Sequence, residues 1–582
     1  MRLHRVFLLL VLATSLGNAR AALYGTVWDL RGNFTVGSGD YIRMTGDGNG
    51  DSFKYQNGYF NHNDSTMDFW ANAQIGLDNW AVFYQNGGQM NVGGYLSIAR
   101  YGGSGYLEVN GGMVNSYNRQ MIVGEVGYGS MTMNGGYAYT YQGVALGQNG
   151  GSTGNLSLNG GTLEAGAIWK GGGTGNLSFN GGTLKATRNE WNFISGLNSA
   201  NIYGNGAGID NGGKGIGINQ TLTGSGGLYL YGGGTTYLRQ GNQYTGGTFI
   251  NAGTLDLRGD QSYSSQYTIG NGARLNVTSD STWFYNAPGF NFTSSGNGNI
   301  TADSGNFIMS ANTSYTTAGG ALNLIDGSKG INLNGYKATF DVARGSDATA
   351  DLRVSTALWN SGSMDKTGNG ILELSAANTY TGATTVKGGT LAVNGSIAGA
   401  LQVDAGATLK GSGTMAGAAT ISGTHSPGNS PGLQSFGSDL TYKASSTALL
   451  EFTQNSISGR GVSFDGINVG GDLAIESGAA VNLLFNGAES SILWSDAFWK
   501  SNQSWLLYQV GGTTTGNFSL ANANWQDSSG NYFNADLTGS AFSITQNGEN
   551  VMLTYAIPEP STYALLGLGA VALVIAARRR AA

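Results

Sequence analysis

The chain has 582 residues, of which 100 are glycine and only 5 proline; charged residues make up 11% and the formal net charge is −6. So much glycine without a Gly-X-Y period and with so little proline excludes collagen. Hydrophobic residues at 40% give the chain too much to bury for it to be disordered. What remains is an all-β chain of many short strands with a glycine turn every few residues, its surface made polar by Asn, Ser and Thr. No Lys/Arg patch marks the body, so nucleic acid is not an expected partner. The absence of cysteine removes disulfides and thiolate metal sites.

The N-terminus reads as a basic Met-Arg-Leu-His-Arg followed by the short apolar run VFLLLVLATSLG. Ala19 and Ala21 place small residues at the two positions a signal peptidase reads, so residues 1–21 are expected to be a signal peptide. Asp47-Gly48-Asn49-Gly50-Asp51 has the oxygen spacing that opens an EF-hand loop. Ser52 and Gly58 replace that loop's glycine and bidentate glutamate, which favours a polar turn over a calcium site.

Asn-Gly-Gly then recurs at Asn86, Asn110, Asn134, Asn159 and Asn180, at spacings of 24, 24, 25 and 21 residues. The later copies end period-2 strands that put Leu107 with Val109, Met131 with Met133, Leu156 with Leu158 and Leu177 with Phe179 on one face. Glu108, Thr132, Ser157 and Ser178 take the other. One strand, one Asn-Gly turn and a fixed repeat describe a β-solenoid coil whose apolar pairs stack on those of the next coil. A propeller is disfavoured because its blades need about 40–50 residues. Residues 22–205 are assigned to this region. Within it Tyr137, Tyr139 and Tyr141 alternate, which places them on one face, suited to packing or to stacking on sugar rings.

Residues 206–437 carry a second repeat. YTGGTFINAGTLDLRG begins at Tyr244 and YTGATTVKGGTLAVNGS at Tyr380, preceded by LTGSGGLYLYGGGTTYLRQGNQ and MDKTGNGILELSAANT. These segments resemble the autotransporter-associated β-strand repeat. Gly246-Gly247-Thr248 and Ala252-Gly253-Thr254-Leu255 match it closely, and the second copy departs only at Ala383 and Gly388. The resemblance implies a right-handed parallel β-helix of the passenger type. An autotransporter would end in a membrane β-barrel, and the sequence continues instead into a different tail.

Gly428-Asn429-Ser430-Pro431-Gly432 fits G-x-S-x-G with His425 nearby. A nucleophile elbow must lie between a strand and a helix, and Pro427 and Pro431 oppose a helix there, so a double turn is expected. The acids Glu108, Glu125, Glu164, Asp256 and Asp351 are scattered, one per coil, which argues against a polysaccharide-cleaving cluster. Residues 438–555 are read as a β-rich C-terminal cap containing SDAFWKSNQSWLLYQV, a short amphipathic helix entering a strand.

In residues 556–582, Pro558-Glu559-Pro560 precedes an apolar run from Tyr563 to Ala577 and then Arg578, Arg579 and Arg580. The run would make a helix of about 22 Å, a single short transmembrane segment with the arginines as its cytoplasmic stop. All three parts resemble the PEP-CTERM sorting signal of Gram-negative bacteria. That resemblance implies an exosortase-type peptidase as partner, alongside signal peptidase, and an inner-membrane tether that precedes release to the cell surface or exterior. The expectation is therefore a non-enzymatic, cofactor-free, exported surface or matrix protein, and the resemblance implies an association with biofilm or exopolysaccharide. A glycan-binding adhesin is the alternative and a β-helix enzyme the outsider.

Overall fold

The computed structural model describes residues 22–557, apart from 26–27, 32, 37–40, 45–50, 78, 259–260, 263, 279–280, 285–288, 294–295, 304, 348, 522–523 and 534–540. It also describes Leu568, Val571, Ala572 and Arg578 of the tail, all helical. Ala19, Ala21, Asp47, Pro558, Glu559, Pro560, Arg579 and Arg580 lie outside the described residues, and so do the signal peptide and most of the tail helix. No helix among the described residues is long and apolar enough to cross a membrane. The chain divides into two compact units, Met1–Leu228 and Tyr229–Ala582, and both are parallel β-solenoids.

In the first unit one turn of the coil runs through the strands Ser104–Val109, Met113–Ser116 and Met121–Val123. Its successor runs through Tyr128–Met133, Tyr137–Thr140 and Val144–Leu146. Each strand pairs in parallel with its counterpart one coil on. Leu107, Met131, Leu156 and Leu177 therefore form one inward column, and Val109, Met133, Leu158 and Phe179 another. All eight are buried, as the period-2 reading requires. No coil can cover its own inner face, so burial of about 1.5–3 kcal/mol per large side chain is realised only by stacking neighbours.

The turns explain the Asn-Gly-Gly motif. Asn110 Nδ2 donates to Asn86 Oδ1 at 2.9 Å, Asn134 to Asn110 at 2.9 Å and Asn159 to Asn134 at 3.0 Å, an amide ladder climbing the corner of the coil. A Cβ on Gly111 would stand 2.4 Å from Asn86 O, and Gly112 has φ +65°. The first glycine is thus required for close approach and the second for its left-handed backbone. At Asn180 the left-handed residue moves to Gly181, with φ +112°. Asn180 Oδ1 then accepts from the amide of Asn205, and the ladder stops where the repeat shortens to 21 residues.

In the second unit the coils stack Thr384–Val386 on Leu401–Val403, Ala419–Ile421, Leu440–Tyr442 and Leu473–Ile475 in turn. The tyrosine of each YTG motif is buried, and its hydroxyl pairs with the threonine four residues on: Tyr244 with Thr248 at 2.6 Å, and Tyr380 with Thr384. The motif therefore inserts a ring into the core and satisfies its one polar atom within the same turn. Ala383 stands where the first copy has Gly247, whose added Cβ would lie a tight 3.0 Å from the Phe249 ring; the second copy has Thr385 in place of that ring.

Parallel coiling continues through residues 438–484, so the segment read as a cap begins with further coils. Its closure comes later. Gln503–Val510 pairs antiparallel with Asn550–Ala556, and Ala541–Asn547 completes a hairpin with it. The amphipathic helix is a single 3₁₀ turn, Ala497–Lys500, whose first turn is capped by Asp496 Oδ1 accepting from Phe498 N at 2.8 Å. Trp499, Trp505, Phe542 and Tyr555 pack there with ring centroids 5.1–6.3 Å apart. Together the hairpin and rings cover the last parallel strand edge.

Candidate functional site

The G-x-S-x-G segment links two strands, Thr424–Pro427 and Leu433–Phe436, which is strand-turn-strand and not the strand-helix of a nucleophile elbow. Ser430 Oγ donates to Glu489 Oε2 at 2.9 Å on the surface. His425 points the other way, into the core, where it continues the inward column of Leu391 and Leu409. Its Nε2 is 2.6 Å from Gln434 Oε1 and its Nδ1 pairs with the Tyr442 hydroxyl, which accepts from Tyr508 at 3.0 Å. Burial pushes the imidazole down to about 4, only partly opposed by Gln434, so it is neutral at pH 7. Both ring nitrogens are engaged inside, and neither serves Ser430. His62 likewise occupies an inward position, paired with Gln85 at 2.7 Å and Ser65 at 2.8 Å.

Buried ionisable groups escaped the sequence reading, Asp465 and Lys366 among them. Asp465 accepts from the amides of Gly432 and Glu451, each at 2.7 Å, and burial pushes its carboxyl up to about 8. It anchors the end of the Gly428–Gly432 turn. Lys366 is fully buried and donates to the carbonyls of Thr367, Gly368 and Gly388 at 2.6, 3.0 and 3.1 Å; burial lowers its pKa to about 8. The Lys366-Thr-Gly and Leu222-Thr-Gly segments of the two repeat copies show the signal available: a lysine standing at an apolar position.

Four of the five scattered acids are engaged locally. Glu164 accepts from Tyr137 at 2.6 Å and pairs with Lys185 at 3.0 Å. Asp256 pairs with Arg258 at 3.0 Å, and Asp351 with Arg344 at 2.8 Å. Glu125 accepts from Ser97 and lies 3.8 Å from Arg100. Glu108 is aligned with Tyr84 on the outward face of the neighbouring strand. Among the described residues no three His, Asp or Glu side chains converge as a metal site would require.

Tyr137, Tyr139 and Tyr141 do face outward together. Tyr141 shares its corner position with Tyr117 and Trp70 of earlier coils, since each follows a residue of the same register column. Beside Tyr141 the surface opens into a cleft of about 450 Å³ lined by Gln142, Ala167, Trp169, Arg188, Glu190, Asn192 and Ser195. Two glycines next to the lining residues allow close packing there. A Cβ on Gly143 would lie 2.8 Å from the Trp169 ring, and one on Gly166 would lie 2.5 Å from Arg188 Nη1. Arg188 donates to Tyr141 O at 2.7 Å, pairs with Glu190 at 3.3 Å, and has its guanidinium 5.5 Å from the Tyr141 ring centre.

The far wall comes from an irregular strand, Glu190–Ser195. Glu190 pairs with Ile216 and Ile194 with Ile218, so three residues of one strand oppose one of the next. This bulge pushes Trp191 out to 52% exposure and turns Asn192 outward.

Two family models match the chain. The PEP-CTERM protein-sorting motif covers residues 556–580, and the passenger-associated-transport-repeat covers residues 221–257 and 364–393. This is an exported, cell-surface protein. Its sorting motif implies processing by an exosortase. The repeat matches enclose the buried Tyr244 and Tyr380, and no barrel follows them among the described residues. No curated protein matches the chain.

Proposed function

We propose that the protein is a non-enzymatic component of the cell surface or extracellular matrix, held briefly at the inner membrane by its tail and then released to associate with biofilm or exopolysaccharide. The observation that carries this reading is the coupling of a sorting motif at residues 556–580 to a body built of stacked coils. His425, Ser430, Glu125, Glu164, Asp256 and Asp351 each have a structural partner, and the coil corner presents a ladder of uncharged asparagine amides.

Fractionation of cells producing the wild-type chain and a variant with Pro558, Glu559 and Pro560 all changed to Ala tests it. The wild type is expected in the surface and matrix fractions, and the variant in the membrane fraction. Identical distribution of the two would overturn the tethering step. Release of reducing ends from matrix polysaccharide by the purified chain would overturn the non-enzymatic role.

A further inference from the structure

We infer that the Trp169 cleft of the first unit binds an uncharged polysaccharide, with Trp169 as the stacking platform and Gln142, Glu190 and Asn192 as hydrogen-bonding partners for sugar hydroxyls. This rests on the reading above only in placing the cleft outside the cell. The argument begins with charge. The one cation and the one anion of the lining, Arg188 and Glu190, pair at 3.3 Å, so the cleft has no net charge with which to attract a phosphate or a uronate. Of its remaining polar groups, Gln142 Nε2 donates to Asn118 O, Ser195 Oγ to Asn192 O, and Asn192 Oδ1 accepts from Asn219 Nδ2, which leaves Gln142 Oε1 to accept and Asn192 Nδ2 to donate, one of each kind, as a sugar hydroxyl can use.

The second element is the indole. Trp169 follows Ala145 in an outward column and precedes Ser195, so it is flanked by small residues. Ala145 is buried although its column faces outward, and Gly143 leaves the ring room to seat. Trp169 nevertheless stays partly exposed, and its indole N–H meets no acceptor among the described residues. An aromatic face with an unspent donor beside amides suits a sugar, whose C–H face stacks while its hydroxyls accept and donate.

The third element is extent. Gln142, Trp169 and Arg188 come from three successive coils, about 4.8 Å apart along the axis, so the cleft runs along the stacking direction. At about 450 Å³ it falls within the range of ligand sites and is open enough to admit an internal stretch of a chain. Tyr141 and Trp191, 50% and 52% exposed, stand at its rim as further platforms.

The experiment is affinity electrophoresis of the full chain in mild detergent, through native gels containing hydroxyethylcellulose, xylan or dextran, with anionic alginate as comparison. At least one neutral polymer is expected to retard the wild type. Trp169→Ala should weaken that retardation at least tenfold and Trp169→Phe should retain most of it. Trp80→Ala, on a different strand of the same unit, should leave it unchanged. Should Trp169→Ala not fold, Asn192→Ala gives the same comparison from the opposite wall. Soluble oligosaccharide from the retarding polymer should shift the tryptophan fluorescence of the wild type more than that of Trp169→Phe. Retardation by alginate alone, by none of the polymers, or equally for wild type and Trp169→Ala overturns the proposal. Tail processing plays no part in these measurements, so their failure leaves the sorting reading standing.

Discussion

His425 shows how residue chemistry is decided by coil register. In the sequence it stands five residues before Ser430 and suggests a catalytic pair; in the fold it occupies a core column and joins Tyr508, Tyr442 and Gln434 in one buried relay. A neutral imidazole with its pKa lowered from 6.5 to about 4 contributes stability above pH 6.5 that is lost as pH falls through 4, because the unfolded state takes up the proton first. Between pH 7 and 4 the wild type should therefore lose of order 3 kcal/mol more than His425→Gln, measured by denaturant unfolding at each pH. Equal losses would contradict the buried, neutral assignment. Asn134 makes two ladder hydrogen bonds, to Asn110 and from Asn159. Asn134→Ala should cost about 1 kcal/mol, and Asn180→Ala, beyond the end of the ladder, clearly less.

At the scale of the element, strand and turn were legible because they follow a period. Alternation identified the inward pairs from Leu107 to Phe179, and the Asn-Gly-Gly spacing marked the coil. The division of labour inside the motif was not legible, since it depends on which carbonyl lies under each glycine. Gly112→Ala should cost about 2 kcal/mol or more, from the left-handed backbone and from a Cβ placed 2.4 Å from Gly88 O. Thermal melts of Gly112→Ala beside Gly150→Ala, where a Cβ meets nothing within 4 Å, check this. The closing hairpin was only half legible. A β-rich pattern with one amphipathic segment pointed to a cap, but antiparallel pairing of Gln503–Val510 with Asn550–Ala556 is a long-range fact with no local signature. A chain truncated before Ala541 should expose that edge and aggregate, seen as a rise in light scattering absent from the wild type. The cleft was the least legible feature, because a bulge at Glu190–Ile194 and the glycines next to the lining residues act together only once three coils are stacked.

For the whole molecule, architecture and destination are written in different parts of the chain. The stability of the coils comes from repetition, each inner face covered by the next. The meaning of the tail comes from Pro558-Glu559-Pro560, the apolar run and the arginines, which match the sorting motif over residues 556–580. A run of about 22 Å is short for a permanent span of the hydrocarbon core, about 30 Å, and this mismatch favours a tether that is removed. Mass spectrometry of the C-terminus of the protein isolated from the surface of its own cells tests this directly. The account predicts a mature chain that ends near Pro558-Glu559-Pro560 and lacks Arg578, Arg579 and Arg580. A surface protein ending intact at Ala582 would contradict it.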